Sequence, residues 1–176
     1  MNSCDNLKTF GFPSIDELRQ AGFLPSREEL EKGACVCIEC LEEIPCNPCE
    51  TSCPSGAITV GDPITRLPTL DKSKCTACGQ CIAACPGLAI FIKKISGSSA
   101  TVRFPWEYVP MPKEGDDAEM AGRDGRIVCK GKIIKVTLIE KFNKTAVVTA
   151  EFPAEFVDEV VSICPRHPEQ DRVAGF

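Results

Sequence analysis

Aromatic side chains are scarce in this chain, 6% of 176 residues, and none is interleaved with its basic residues in the manner of a nucleic-acid surface. No run approaches the roughly 20 apolar residues that cross a bilayer, so contact with a membrane could only come through a partner. Met1 to Phe10 is polar, without the apolar stretch of a secretory signal, and the expected compartment is the reducing cytoplasm. No P-loop, no glycine-rich dinucleotide fingerprint and no nucleophile with a base partner is present, and the one histidine, His167, stands in a polar tail. The sequence thus offers no catalytic constellation of its own. Basic residues are missing altogether between Glu39 and Asp62, where Glu39, Glu42, Glu43, Glu50 and Asp62 would repel nucleic acid.

What the chain has in abundance is cysteine, 13 residues in all. Cys75, Cys78, Cys81 and Cys85 followed by Pro86 form a C-x2-C-x2-C-x3-C-P run, the spacing of thiolates around a [4Fe-4S] cluster. In that pattern three sulfurs hold one cube, while the fourth, set apart by the longer gap and the proline, reaches a different one. A second cluster is therefore required. Soft thiolates suit iron–sulfide cores, and the two-residue gaps let backbone N–H groups point at the sulfurs. A disulfide scaffold would belong to a secreted chain, and zinc sites use two separated ligand pairs without needing the triple run or the Cys-Pro ending.

The second set of ligands is found upstream. A shift of 32 positions places Cys46 on Cys78, Cys49 on Cys81, Cys53 on Cys85, Pro54 on Pro86, Ala57 on Ala89 and Ile58 on Ile90. Cys75 falls on Glu43, so the first ligand of the earlier run is placed at Cys40 with three extra residues in its loop, and Cys37 is the competing choice. Over residues 35–95 these motifs resemble the bacterial-type dicluster ferredoxins. The resemblance implies two [4Fe-4S] clusters with crossed ligation: Cys40, Cys46, Cys49 and Cys85 at one, and Cys75, Cys78, Cys81 and Cys53 at the other. With about two negative charges for each oxidised cluster, the net charge of −5 would fall to roughly −9.

Around this segment the elements are read from local signals. Ser14 with Glu17 and Ser26 with Glu29 spell two capping boxes, the second helix ending at Gly33. Pro54 and Pro86 release the chain into short apolar strands, Ala57 to Val60 and Leu88 to Ile92, expected to cover the clusters. Ser96-Gly97-Ser98-Ser99 marks a turn or linker. Beyond it, residues 100–109 read as extended, 111–122 as a loop and Asp124-Gly125 as a tight turn, and the runs 127–139 and 145–152 read as a hairpin closed by a turn at Lys141 to Lys144. Pro153 is expected to open a last helix with Phe156, Val160 and Ile163 on one face. Of the other cysteines, Cys129 reads as a buried strand thiol, and Cys35 and Cys37 as close to the first ligand. The seven basic residues between Arg123 and Lys144 read as the solvated face of a hairpin, or else as a docking face for an acidic partner.

The expected fold class is α+β: a helical arm (1–34), a dicluster ferredoxin-like domain (35–95) and a β-rich module with a C-terminal helix (96–176). Because a ferredoxin needs only about 60 residues for two clusters, the remainder suggests docking within a larger assembly. The layout Ile38-Glu39-Cys40 with Glu43-Ile44-Pro45-Cys46-Asn47-Pro48-Cys49 resembles the ferredoxin-like small subunits of FAD-dependent amino-acid dehydrogenases of the proline, hydroxyproline and opine type. That resemblance implies an electron-transfer subunit relaying single electrons between a larger flavoprotein oxidoreductase and an external acceptor. A free soluble ferredoxin and a zinc-stabilised interaction module are the other readings that the residues leave open.

Overall fold

The computed structural model describes residues 6–138, 140 and 145–165. Cys4, the turn at Lys141 to Lys144 and His167 lie outside them. Both capping boxes form: the Ser14 and Ser26 side chains accept from the backbone N–H groups of Glu17 and Glu29, whose carboxylates accept from the cap residues' N–H in return. They open α2 (Ile15–Gln20) and α3 (Arg27–Lys32), the latter capped by Gly33, and a short α1 (Asn6–Phe10) precedes them without a sequence signal. The arm is held down at several points. Leu30 is buried in the main core, Arg19 pairs with Asp158 at 2.8 Å and Glu29 with Lys72 at 2.5 Å.

One antiparallel sheet of seven strands runs through most of the chain, in the order β1 (Cys35–Ile38), β4 (Ile90–Ser96), β5 (Ser99–Trp106), β8 (Ala146–Pro153), β7 (Ile127–Leu138), β6 (Asp117–Ala121) and β9 (Ser162–Ile163). The turn at Gly97 closes the β4–β5 hairpin, with Ser96 opposite Ser99 and Gly97 at φ +63°. Strands from the cysteine-rich half and the later half therefore share one sheet, and the division expected at residue 95 falls inside a hairpin.

Alternation along the strands gives this sheet two apolar faces. Ala100, Val102, Phe104 and Trp106 of β5 join Val148, Ala150 and Phe152 of β8 in the main core, closed by Met120, Ile133, Val157, Val160 and Ile163. On the other side Val36, Ile38, Ile90, Ile92 and Val147 form a second cluster with the short helices α4 (Pro48–Thr51) and α5 (Gln80–Ala84). The cysteine-rich loops lie on this second face.

The later half departs from expectation in two places. Pro153 ends β8 in extended conformation, and the expected helix is a 3-10 turn (Ala154–Phe156) followed by β9. Val157 and Val161 are buried along with Val160 and Ile163, more than one helical stripe would cover, and this β-branched run suits a turn and strand better. Within the expected 111–122 loop, β6 forms because Met120 and Ala121 are buried; the proline and glycine signals, Pro112, Gly115 and Gly122, flank the strand. Of the basic stretch from Arg123 onward, Arg126, Lys130, Lys132 and Lys135 are exposed on or beside the β7–β8 hairpin, in line with a solvated face, and acidic residues are interleaved with them. Lys130 stands across from Glu119, Lys132 from Asp117 and Glu151, Arg126 pairs with Asp124 at 3.4 Å, and Arg123 is buried against Glu39.

Candidate iron–sulfur site

The 32-residue offset seen in the cysteines is repeated in the backbone. β2 (Ile58–Thr59) pairs with β3 (Thr69–Leu70) with Ile58 opposite Leu70 and Thr59 opposite Thr69; adding 32 to the first member and subtracting it from the second gives Ile90 opposite Ile38 and Phe91 opposite Cys37, the register of β4 on β1. Asp71 N–H donates to Ala57 O at 2.8 Å, and Glu39 N–H to Ala89 O at 2.8 Å. After each Cys-Pro the chain turns alike, Gly56 N–H donating to Cys53 O and Leu88 N–H to Cys85 O, both at 3.2 Å. Gly56 and Leu88 stand at φ +59° and +52°, the second an unusual conformation for a residue with a branched side chain. α4 and α5 are likewise offset by 32, carry the buried Cys49 and Cys81, and pack against each other.

Two hollows result. One is lined by Cys40, Cys46, Cys49 and Cys85, with Ile38, Ile90, Pro68 and Pro86 among its walls. The other is lined by Cys53, Cys75, Cys78 and Cys81, with Val36, Ile58 and Pro54. Each therefore draws three cysteines from one run and one from the other. The twelve described cysteines are all free thiols.

The chemistry of these donor sets fits an iron–sulfur cube. Burial pushes the Cys49 thiol up to about 11, helped by Cys85 and Cys46, and the Cys81 thiol up to about 12, helped by Cys78, Cys75 and Cys53. Cys40 is raised by burial and then by Cys85 and Cys46. In each case the acting cysteines belong to the same hollow. Such thiols are protonated at neutral pH, so metal insertion must displace their protons. At Cys53 burial acts upward, but the Ser55 hydroxyl and the N–H groups of Ala57, Ile58 and Ser55 outweigh it and lower the thiol, Ala57 N–H lying 3.3 Å from Sγ. Ala77 N–H donates to Cys75 Sγ at 3.5 Å. These are the backbone donors that iron–sulfur loops direct at sulfur.

Strand alternation separates the two candidates for the first ligand. Cys35 and Cys37 point into the main core with Phe91 and Phe104, whereas Val36 and Ile38 point to the hollows, and Cys40, just past the end of β1, lines one. Cys37 is fully buried, and its thiol is pushed up to about 12, chiefly by burial. Cys37→Val is accordingly expected to leave the iron content unchanged, while Cys40→Ser lowers it, as measured by iron analysis of anaerobically purified protein. A Cys37 variant that lost as much iron as the Cys40 variant would reverse the assignment. Cys129, on β7 and half-buried, lines neither hollow.

Two arginines act on these loops from far away in the chain. Arg103 on β5 donates from Nη2 to the carbonyl of Ala77, and Arg123 makes a paired contact with Glu39, the neighbour of Cys40. Neither carries a local sequence signal, since each partner lies far away along the chain.

Comparison with known proteins agrees with this geometry. Residues 68–91 match the family described as 4Fe-4S binding domain, a stretch that holds Cys75, Cys78, Cys81 and Cys85. The chain is 48% identical over 50 residues to a subunit of the ion-translocating oxidoreductase complex of Methanosarcina acetivorans, covering 28% of this chain and 18% of that one. It is 50% identical over 46 residues to an uncharacterised ferredoxin of Methanocaldococcus jannaschii (26% and 28%), and 39% identical over 52 residues to the aliphatic sulfonate oxidoreductase, polyferredoxin-like subunit of Pyrococcus furiosus (30% and 27%). The chain thus spans less than a third of the length of each of these relatives. No solved structure is significantly similar to it. Among the described residues no helix is long and apolar enough to cross a membrane. Residues 68–91 are thus a 4Fe-4S binding segment, similar to that of ferredoxin-type iron–sulfur proteins.

Proposed function

We propose that the chain carries two [4Fe-4S] clusters with crossed ligation, Cys40, Cys46, Cys49 and Cys85 at one hollow and Cys53, Cys75, Cys78 and Cys81 at the other, and serves as the electron-transfer subunit of a larger oxidoreductase. The observation that carries this reading is the pair of hollows, each with four cysteines, related by the same 32-residue offset in sequence, strand register and hydrogen bonding. A [4Fe-4S] cluster supplies one-electron acceptance and release when bound.

The protein's own residues do the rest. Val36, Ile38, Ile58 and Ile90 wall the hollows with apolar surface on the side of the sheet, where nearby charges act strongly, while Cys78 stands exposed. A zinc module fits less well: tetrahedral zinc needs its sulfurs at about 2.3 Å from one centre, and among the described residues no three His, Cys, Asp or Glu side chains converge to hold a single ion. A cube holds its thiolates at its outer corners, farther apart.

Two considerations support the subunit role. Relatives matched over part of the chain include subunits of oxidoreductase complexes. The resemblance around Ile38 to Cys49 adds the kind of partner, a flavoprotein dehydrogenase acting on amino acids of the proline, hydroxyproline or opine type, with electrons passed on to an external acceptor. Purification from the native host under strict anaerobiosis tests this. A flavin-containing dehydrogenase that elutes with the chain in fixed ratio is expected; elution alone, with both clusters in place, would favour a free carrier.

A further inference from the structure

Resting on the two-cluster reading, we propose that Arg103 is a positioning residue that sets the reduction potential of the cluster held by Cys53, Cys75, Cys78 and Cys81, making it the higher-potential station of the two. Arg103 belongs to the sheet face that carries the hollows, on the alternate positions from Val102 and Phe104. Its Nη2 donates to the carbonyl of Ala77, which stands at φ +51°, a conformation that a residue with a Cβ adopts rarely and that needs outside support. A methyl group added at Gly79 would lie 2.9 Å from the same Nη2. The guanidinium therefore lies against the loop on both sides of Cys78, and Gly79, at φ +87°, leaves room for it.

The charge is poorly compensated. No carboxylate forms an ion pair with Arg103 among the described residues, and its Nε is buried without an acceptor. Burial holds the guanidinium below its usual range, while Cys78, Cys81 and Cys75 act in the opposite sense, which places all three within its field. Among the described residues the first hollow has no equivalent. Its arginine, Arg66, is exposed, where water screens it, and Pro45, the counterpart of Ala77 under the 32-residue offset, cannot adopt a positive φ.

Reduction adds one negative charge to a cluster, and a fixed positive charge in a half-buried site favours that state. Loss of the charge should lower the potential of this cluster and leave the other in place. Arg103→Gln keeps an N–H donor for the Ala77 carbonyl without the charge, and Arg103→Lys keeps the charge without the fork. Redox titration followed by electron paramagnetic resonance is expected to show one potential falling in Arg103→Gln by at least tenfold in the equilibrium, 59 mV for one electron. The moving signal should be the one that Cys53→Ser perturbs, and Arg103→Lys should stay within threefold of the parent.

Unmoved potentials in Arg103→Gln with both clusters present would overturn the proposal. So would a tenfold fall in Arg103→Lys, even if Arg103→Gln failed to assemble. A parent protein with only one cluster would instead defeat the two-cluster reading beneath it.

Discussion

Cys85→Ser is expected to damage the cluster whose other three sulfurs come from Cys40, Cys46 and Cys49, some 36 to 45 positions earlier in the chain, and to spare the cluster bound by Cys75, Cys78 and Cys81 beside it in sequence. Cys53→Ser should do the reverse. The reason is topological: after each Cys-Pro the chain turns through a positive-φ residue and enters a strand, and this carries the last cysteine of each run across to the opposite hollow. Iron should fall from about eight to about four per chain in either variant, and the surviving resonance signal should differ between them. Local damage, each change harming the cube of its own run, would refute crossing.

Arg123→Met should cost about 3–5 kcal/mol of stability, the range for breaking a buried ion pair from one side. Arg123 Nε donates to Glu39 Oε2 at 2.6 Å and Nη2 to Oε1, while Nη1 donates to the Asp158 carbonyl at 2.7 Å. The two side chains are only 8% and 4% exposed, so the surviving carboxylate would be left dry and unpaired. Burial with two hydrogen bonds decides against the surface-pair value of about 0–1 kcal/mol. Because Glu39 precedes Cys40, the first hollow should loosen along with the fold. The double variant Arg123→Met with Glu39→Leu removes both charges and should recover much of the loss. Denaturant midpoints measured anaerobically check both expectations; a single variant within about 1 kcal/mol of the parent would show that the pair behaves as an exposed one.

The same contacts explain what the sequence could and could not convey. Cysteine spacing is legible because each run is local in the chain, and the same offset of 32 reappears in the strand register, with Ile58 opposite Leu70 and Ile90 opposite Ile38. Capping boxes are legible for the same reason, since donor and acceptor lie three residues apart. Partners distant in the chain leave no such trace. Arg103 meets Ala77 across 26 positions and Arg123 meets Glu39 across 84, and nothing near either arginine marks it.

The basic residues from Arg123 onward read as the solvated face of a hairpin, and what composition does not convey is that the sheet sets acidic residues of β6 and β8 opposite two of the lysines. The apolar spacing of Phe156, Val160 and Ile163 suits a helix on paper. It lost to a core that needed Val157 and Val161 as well. Spacing placed the first ligand at Cys40 but kept Cys37 in contention, because what separates them is that Cys37 takes the core face of β1 while Cys40, past its end, lines a hollow.

Iron and acid-labile sulfide, counted per chain in protein prepared without oxygen, test the central claim most directly. About eight of each are expected. Four or fewer of either, or zinc in their place, would contradict it.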